Sequence, residues 1–297
     1  MLWFYFTLLL LASISCWFFV GFSYFKQYRY FTLLTDLLPF YPYFLLLGYI
    51  FYTLLTFLLS VRFSYYFFLL LLVPLPFVSY LFYLVKRWRS CYTLSRYTAF
   101  LQLLSSDKFE VKLFRDYHQN NISQNKVNVF IRHDVDLSIS RLKKILDIEK
   151  EYQLRSTCFF RLHSPKYSFN EVRTLIKTLA NEGFEIGFHY ETLSQTKGNK
   201  SRAKLLFSEE LKLIRSVVDV TVISHHGDRY NNHLLYPLLD HKELRIWSAY
   251  DMKTDLYLTD TGGDDMYRKH KQHIFERINE AKPGDIVQIL IHADWWY

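Results

Sequence analysis

Three stretches without a charged side chain, residues 1–25, 37–61 and 63–85, constrain this 297-residue chain more than anything else in it. Each exceeds the roughly 20 apolar residues that cross the hydrocarbon core of a bilayer. A buried helical core of that length would show a polar face at helical spacing, and these runs show none. The pattern predicts an all-α membrane anchor over 1–85, counted as three transmembrane helices, with two or four as alternatives. Trp3, Trp17, Tyr28 and Tyr80 fall near the expected interfaces. Pro39, Pro42, Pro74 and Pro76 interrupt the second and third runs, so a re-entrant segment stays open. The small residues Ala12, Ser13 and Ser15 before Cys16 resemble a lipoprotein cleavage site, but no Lys or Arg precedes them, so an uncleaved anchor is expected.

Basic residues near the span ends set orientation. Lys26 and Arg29 follow the first run, Arg62 alone separates the second from the third, and Lys86, Arg87 and Arg89 follow the last. With three alternating spans the two richer clusters share a face, which the positive-inside rule makes cytoplasmic. A multi-pass membrane protein with a cytoplasmic-facing soluble region is the resulting expectation, with the outward-facing arrangement as its alternative. Cys16, Cys91 and Cys158 form no framework of pairs, which agrees with a reducing compartment.

Residues 86–297 make the soluble region, with 33 Lys and Arg against 27 Asp and Glu. A basic surface beside a bilayer suits anionic lipid headgroups or lipid-linked phosphates. The basic residues are scattered without a stacking platform or reader motif, which argues against nucleic acid as a partner.

Within this region apolar residues alternate between strand and helix periods. A short helix over 92–105, a strand over 109–113 and a polar loop over 118–126 lead to VNVFIRHDVD at 127–136. Strands are predicted over 127–133, 156–162, 184–189, 220–224, 244–249 and 285–291, with a short one at YLTDT, and helices over 138–152, 168–182, 201–216 and 267–280. Ser168 and Glu171 form a capping box, and Gly183 is a left-handed stop. Strands separated by amphipathic helices imply parallel βαβ units, and this many imply a barrel.

Ligands bind at the carboxyl ends of such strands. Arg132, His133, Asp134 and Asp136 end one strand, His189 and Glu191 another, His225 and His226 a third, and His292 the last. A lone strand-end histidine is usually a satisfied structural group; four strands sharing the pattern indicate a site. Asp134 and Asp136, two apart, project to one side and repel unless a cation or shared proton holds them. His118, His163, His233, His241, His270 and His273 fall in loops or charged helices, where a solvated histidine is expected.

RHDVDLS at 132–138, GFEIGFHYE at 183–191, YLTDTGG at 257–263 and ILIHADWW at 289–296 resemble the polysaccharide deacetylase superfamily, the NodB-homology or carbohydrate esterase type. The similarity covers roughly 92–297 and is nearest to an RHDVD branch found with surface-polysaccharide genes. It implies a distorted parallel (β/α) barrel and a metal-dependent N-deacetylase or deformylase of amino sugars, with zinc as the first choice of divalent metal. It makes Asp134 the catalytic base, Asp136 and His189 metal ligands, and His292 the catalytic acid. The family's second motif places another histidine where this chain has Leu193, so Glu191 or His226 is left to complete the metal site, and His226 is the choice. Arg132 is expected to hold Asp134, either for function or as a plain strand-end salt bridge. Asp260 begins a DTGGDD loop that either cradles a phosphate or turns. Of Trp295 and Trp296, one is expected to pack beneath the last strand and the other stands open between packing and stacking on a sugar. The expected substrate is an envelope glycan or its lipid-linked precursor; the alternative is an inactive scaffold or glycan-binding protein that keeps the barrel.

Overall fold

The computed structural model describes residues 92–261 and 273–296. The three expected spans, Cys16, Cys91, His270 and residues 262–265 lie outside the described residues. Among those described, no helix is long and apolar enough to cross a membrane.

Eight strands run parallel: β1 (Phe109–Lys112), β2 (Val127–Val135), β3 (Thr157–Phe160), β4 (Glu185–Tyr190), β5 (Val222–His225), β6 (Trp247–Ser248), β7 (Leu256–Thr259) and β8 (Ile286–Ile291). Their order is β6-β5-β4-β3-β2-β8-β7, with β1 beside the first half of β2. The parallel strand–helix alternation is as expected, but the ring is open: no pairing joins β6 to β7 among the described residues. Helices α1 (Leu94–Leu104), α2 (Phe114–His118), α3 (Ile139–Glu151), α4 (Phe169–Asn181), α5 (Thr192–Gln195), α6 (Lys200–Arg215) and α7 (His241–Leu244) connect or flank the strands.

Strand β2 organises the sheet because it is paired along its whole length. β8 lies on one side from Asn128 to His133, and on the other β1 pairs with 127–130 while β3 pairs with 132–135. The β3 pairing carries the strand past its expected end at residue 133, so Asp134 lies within it. Alternation then sorts the side chains. Val127, Val129, Ile131 and Val135 join the outer core against the helices, while Phe130 packs inside with Phe114, Phe159, Val222 and Trp247. Gly187 on β4 is required there, since a Cβ would meet the Phe159 ring at 2.4 Å.

The helices start where polar caps allow. Ser138 accepts from the Arg141 amide at the start of α3, Asn199 from Arg202 at the start of α6, and Ser168 with Glu171 closes the capping box of α4. Gly183 follows α4 at φ +93°, a conformation that other residues rarely adopt. Two expected elements differ. Residues 241–244 are helical and only Trp247–Ser248 pairs as a strand, because Asp240 caps a short turn of helix there. The described part of the expected 267–280 helix is a turn followed by a 3-10 segment, Glu276–Glu280.

Candidate functional site

The inner-face residues of β2 set the floor of the site. Arg132 is fully buried, and its guanidinium grips Asp134 bidentately, Nε to Oδ1 and Nη2 to Oδ2, both at 2.7 Å. Burial works against the Asp134 carboxylate, but Arg132 overcomes it and holds the group well below the usual carboxylate range. Nη2 of Arg132 also donates to Ser224 Oγ on β5 and to the Tyr250 hydroxyl at 3.1 Å.

Above this floor, Asp136 is the hub. His189 Nε2 lies 3.5 Å from its Oδ1 and 3.4 Å from Oδ2 of Asp134. His226 Nε2 lies 3.8 Å from the same Oδ1, and His292 Nε2 lies 4.0 Å from its Oδ2. The carboxyl ends of β4, β5 and β8 therefore bring His189, His226 and His292 around one carboxylate. Their side chains converge because residues at every second position share the inner face: Gly187 and His189, Ser224 and His226, Leu290 and His292.

The protonation of His189 follows from geometry. Its Nδ1 lies 3.2 Å from the Ser224 carbonyl, which only accepts, so Nδ1 carries the hydrogen. Burial pushes the ring down to about 3, so it is neutral and Nε2 is a bare lone pair. That lone pair faces two carboxylate oxygens, an arrangement that repels without a cation between them. Asp136 Oδ1 is buried and has no hydrogen-bond partner among the described residues. The Asp136 oxygen, the His189 Nε2 lone pair and the His226 imidazole match the donor types that zinc takes.

A second cluster shares His226. Ligand atoms of Glu191, His226 and Asp228 lie within 4.8 Å of one another. Its carboxylates are already engaged, however. Arg161 grips Glu191 at 3.0 and 2.6 Å, and Asp228 accepts from the Ser194 hydroxyl and from the Tyr230 amide. The unpartnered Asp136 oxygen makes the inner set the better cation site, while Glu191, paired with Arg161, stays in the second group as a candidate ligand.

His292 is prepared differently. Its Nδ1–H donates to Asp260 Oδ1 at 2.6 Å, while Asp260 Oδ2 accepts from the His292 amide at 2.8 Å and from Trp296 Nε1 at 3.0 Å. Burial opposes the charged ring, but Asp260 more than offsets it and pushes His292 up to about 9. Asp260 is thus a buried carboxylate that orients His292, while most of the DTGGDD loop that it begins lies outside the described residues. Trp296 is buried and packs against Phe275, Tyr92 and Tyr97, so it is the tryptophan of the pair that packs; Trp295 is half-buried.

Some strand-end residues lie elsewhere. His133 alternates to the outer face and meets Glu149 of α3 at 2.7 Å, away from Asp134. His225 stacks on Tyr250 with ring centroids 4.2 Å apart. Leu193 is buried in the outer core, which leaves no second-motif histidine at that position. His273 and His163 also depart from the solvated expectation: His273 is buried beside Trp296, and His163 contacts Glu210 at 2.6 Å. Arg161 was not singled out from the sequence. It follows β3 two positions after inward-facing Phe159, and its Nη1 lies 3.7 Å from Asp136 Oδ1. Its place at a strand carboxyl end was the available signal.

No protein-family model and no curated protein matches the chain. Among solved structures, it is similar to a Streptococcus mutans CE4 esterase at 15% identity, covering 60% of this chain and 78% of that one, with a TM-score of 0.42. Against a family 4 carbohydrate esterase from Bacillus anthracis the identity is 18%, the coverage 61% and 77%, and the TM-score 0.37. For the peptidoglycan deacetylase PdaC from Bacillus subtilis the values are 16%, 59% and 80%, and 0.37. At such identities and TM-scores the functional reading rests on the site's own geometry. Of these three solved structures, two are described as carbohydrate esterases of family 4 or CE4 type and one as a peptidoglycan deacetylase.

Proposed function

We propose that the chain is a metal-dependent N-deacetylase of amino sugars in a glycan. The observation that carries this reading is the bare Nε2 of His189 facing Asp134 and Asp136 at 3.4 and 3.5 Å, with His226 beside them. Asp136, His189 and His226 would hold a divalent cation, zinc by donor type, which when bound polarises a carbonyl and lowers the pKa of water.

The chain's own groups supply the rest. Asp134, ionised at any working pH, is always available to accept a proton from the attacking water. Its basicity is weak because Arg132 stabilises the charged form, so the water it serves must itself be acidified. His292, protonated at neutral pH and held by Asp260, donates through Nε2 to the leaving amine nitrogen. An amide is the bond that needs both services, since its nitrogen leaves only after protonation.

The uncharged runs over 1–85 support a membrane anchor, and the basic residues after the last run support a cytoplasmic-facing soluble region acting on an envelope glycan or its lipid-linked precursor. Full-length protein should retain a stoichiometric divalent ion in elemental analysis and release acetate or formate from N-acylated amino-sugar glycans. Retention of no metal and release of no acid would remove the proposal. A second reading, an inactive glycan-binding or scaffold protein, is supported by Leu193 and by Arg161 standing 3.7 Å from Asp136, where it competes with a cation. Under that reading Asp134→Asn leaves the cellular phenotype intact.

A further inference from the structure

Two exposed leucines stand at the end of the domain where the site lies. Helix α6 follows the carboxyl end of β4 through α5 and finishes where Arg215 reaches the Val220 carbonyl ahead of β5. Its first turns are therefore at the site's end and its last turn at the opposite one. Leu205, in the first half of α6, is 69% exposed. Leu234, in the 3-10 segment Asn232–Leu238 that follows the carboxyl end of β5, is 45% exposed. This segment packs on α5 and α6, and Asn232 Nδ2 donates to Ser194 Oγ at 2.8 Å.

Cations accompany the leucines. Residues 192–208 hold Lys197, Lys200, Arg202 and Lys204 and no Asp or Glu, and all four cations are exposed. The dipole of α6 favours acidic residues in its first turn, yet none is there, so helix stability does not account for the choice. A single exposed leucine needs no explanation. Leucines and cations at one end share a natural partner in the phosphates and acyl chains of an anionic lipid interface.

The chain also enters the domain at this end. Tyr92, the first described residue, packs edge-on against Trp296, which follows the carboxyl end of β8. Residues 86–91, which include Lys86, Arg87 and Arg89, separate it from the uncharged run ending at 85. Fully extended, so short a connection reaches about 20–25 Å. An anchored domain on that tether keeps its carboxyl end close to the bilayer.

We propose that the surface formed by the first half of α6 and the 3-10 segment docks on an anionic lipid bilayer, with Leu205 and Leu234 entering the headgroup layer and Lys200, Arg202 and Lys204 meeting lipid phosphates. The inference rests on the anchor reading of 1–85. Docking brings the histidine and carboxylate site to the bilayer, which favours a glycan still attached to lipid over a released polymer. Nucleic acid would match the cations but not the leucines. A second copy would match the leucines but meet its own cations.

The test uses full-length protein reconstituted into vesicles, with Cys16 and Cys91 changed to Ser and Cys158 left buried. A fluorophore is attached through Leu234→Cys or, as the control, through Leu213→Cys in the second half of α6, where Leu213 is also exposed. In phosphatidylglycerol vesicles with brominated acyl chains, the label at 234 should be quenched about threefold or more beyond the label at 213. Changing Lys200, Arg202 and Lys204 together to Glu, or replacing phosphatidylglycerol by phosphatidylcholine, should bring position 234 to the level of 213. All three cations are exposed, so the Glu variant should melt like its parent. Equal quenching at both positions in phosphatidylglycerol overturns the surface, as does quenching at 234 that ignores the Glu substitutions. A shift at 234 that grows with protein concentration in detergent assigns the surface to a second copy and overturns the proposal. So does a shift that an oligonucleotide produces and lipid does not. Alkaline carbonate tests the anchor separately: extraction removes the anchor reading, while the contrast between 234 and 213 still decides the surface. No hydrolysis enters the readout, so the deacetylase reading stands or falls by its own assay.

Discussion

Strand β2 feeds two clusters of histidine and carboxylate, one on each face, and they are built to opposite rules. On the outer face Glu149 is fully buried and its oxygens are filled: Tyr97 donates its hydroxyl, Ser156 donates at 2.6 Å, and His133 Nε2 lies at 2.7 Å. This network ties α1, α3 and β2 together. On the inner face Asp136 and Asp134 meet imidazole nitrogens at 3.4–3.8 Å, beyond normal hydrogen-bond length, and one Asp136 oxygen has no hydrogen-bond donor. Satisfied groups hold a fold, whereas carboxylate and imidazole lone pairs left facing each other await a ligand. A buried His–carboxylate contact alone does not separate the two cases, since His133 Nδ1 on the outer face is also buried without a hydrogen-bond partner among the described residues. The unmet carboxylate oxygen, present on Asp136 and absent from Glu149, does.

The sharpest break of this comparison is Asp136→Asn. Loss of the hub carboxylate should abolish stoichiometric zinc retention and cut amide hydrolysis on the order of 1,000-fold, as elemental analysis and an acetate assay would show. Retained metal with full activity would move the site to the Glu191, His226 and Asp228 cluster. Glu149→Ala should do the reverse. Leaving His133, Tyr97 and Ser156 buried without their acceptor should cost about 3–5 kcal/mol in urea unfolding, with metal stoichiometry unchanged. Zinc at about a hundredfold excess over its dissociation constant should stabilise the wild type by ~2.7 kcal/mol, and Asp136→Asn hardly at all.

The smallest expected effect is on pH dependence. Asp260 holds His292 at about 9, so activity that needs the protonated ring should fall as pH rises through that value. Asp260→Asn should move the alkaline limb of the pH–rate profile down toward the ordinary value of 6.5. The same pair affects stability. Because the folded-state value is raised, its contribution is complete below about pH 6.5 and is lost as pH climbs through about 9. An alkaline limb unmoved by Asp260→Asn would assign the acid role to another group.

Much of this was legible from period and position. The 2.0 period of VNVFIRHDVD placed Asp134 and Asp136 on one face, and helical spacing with Ser168 and Gly183 located α4. The same period, applied to His133, assigns it to the opposite face from Asp134; grouping it with the site gave sequence proximity too much weight. Arg161 and Tyr250 were harder to foresee, because a single charged or aromatic residue after a strand has no pattern of its own. Tyr250 acquires its place only when β6 arrives beside β5 and brings the following turn over Arg132.

Local chemistry is written along the chain: the uncharged runs, the strand and helix periods, and residue types suited to metal binding and proton transfer at strand ends. Pairings between distant residues are not. That Glu191 is engaged by Arg161, that Asp260 serves His292, and that no pairing joins β6 to β7 among the described residues depend on which strands become neighbours and in what register. Side-chain hydrogen bonds act over about 3 Å, so only the folded arrangement decides which donors and acceptors are satisfied and which are left for a ligand.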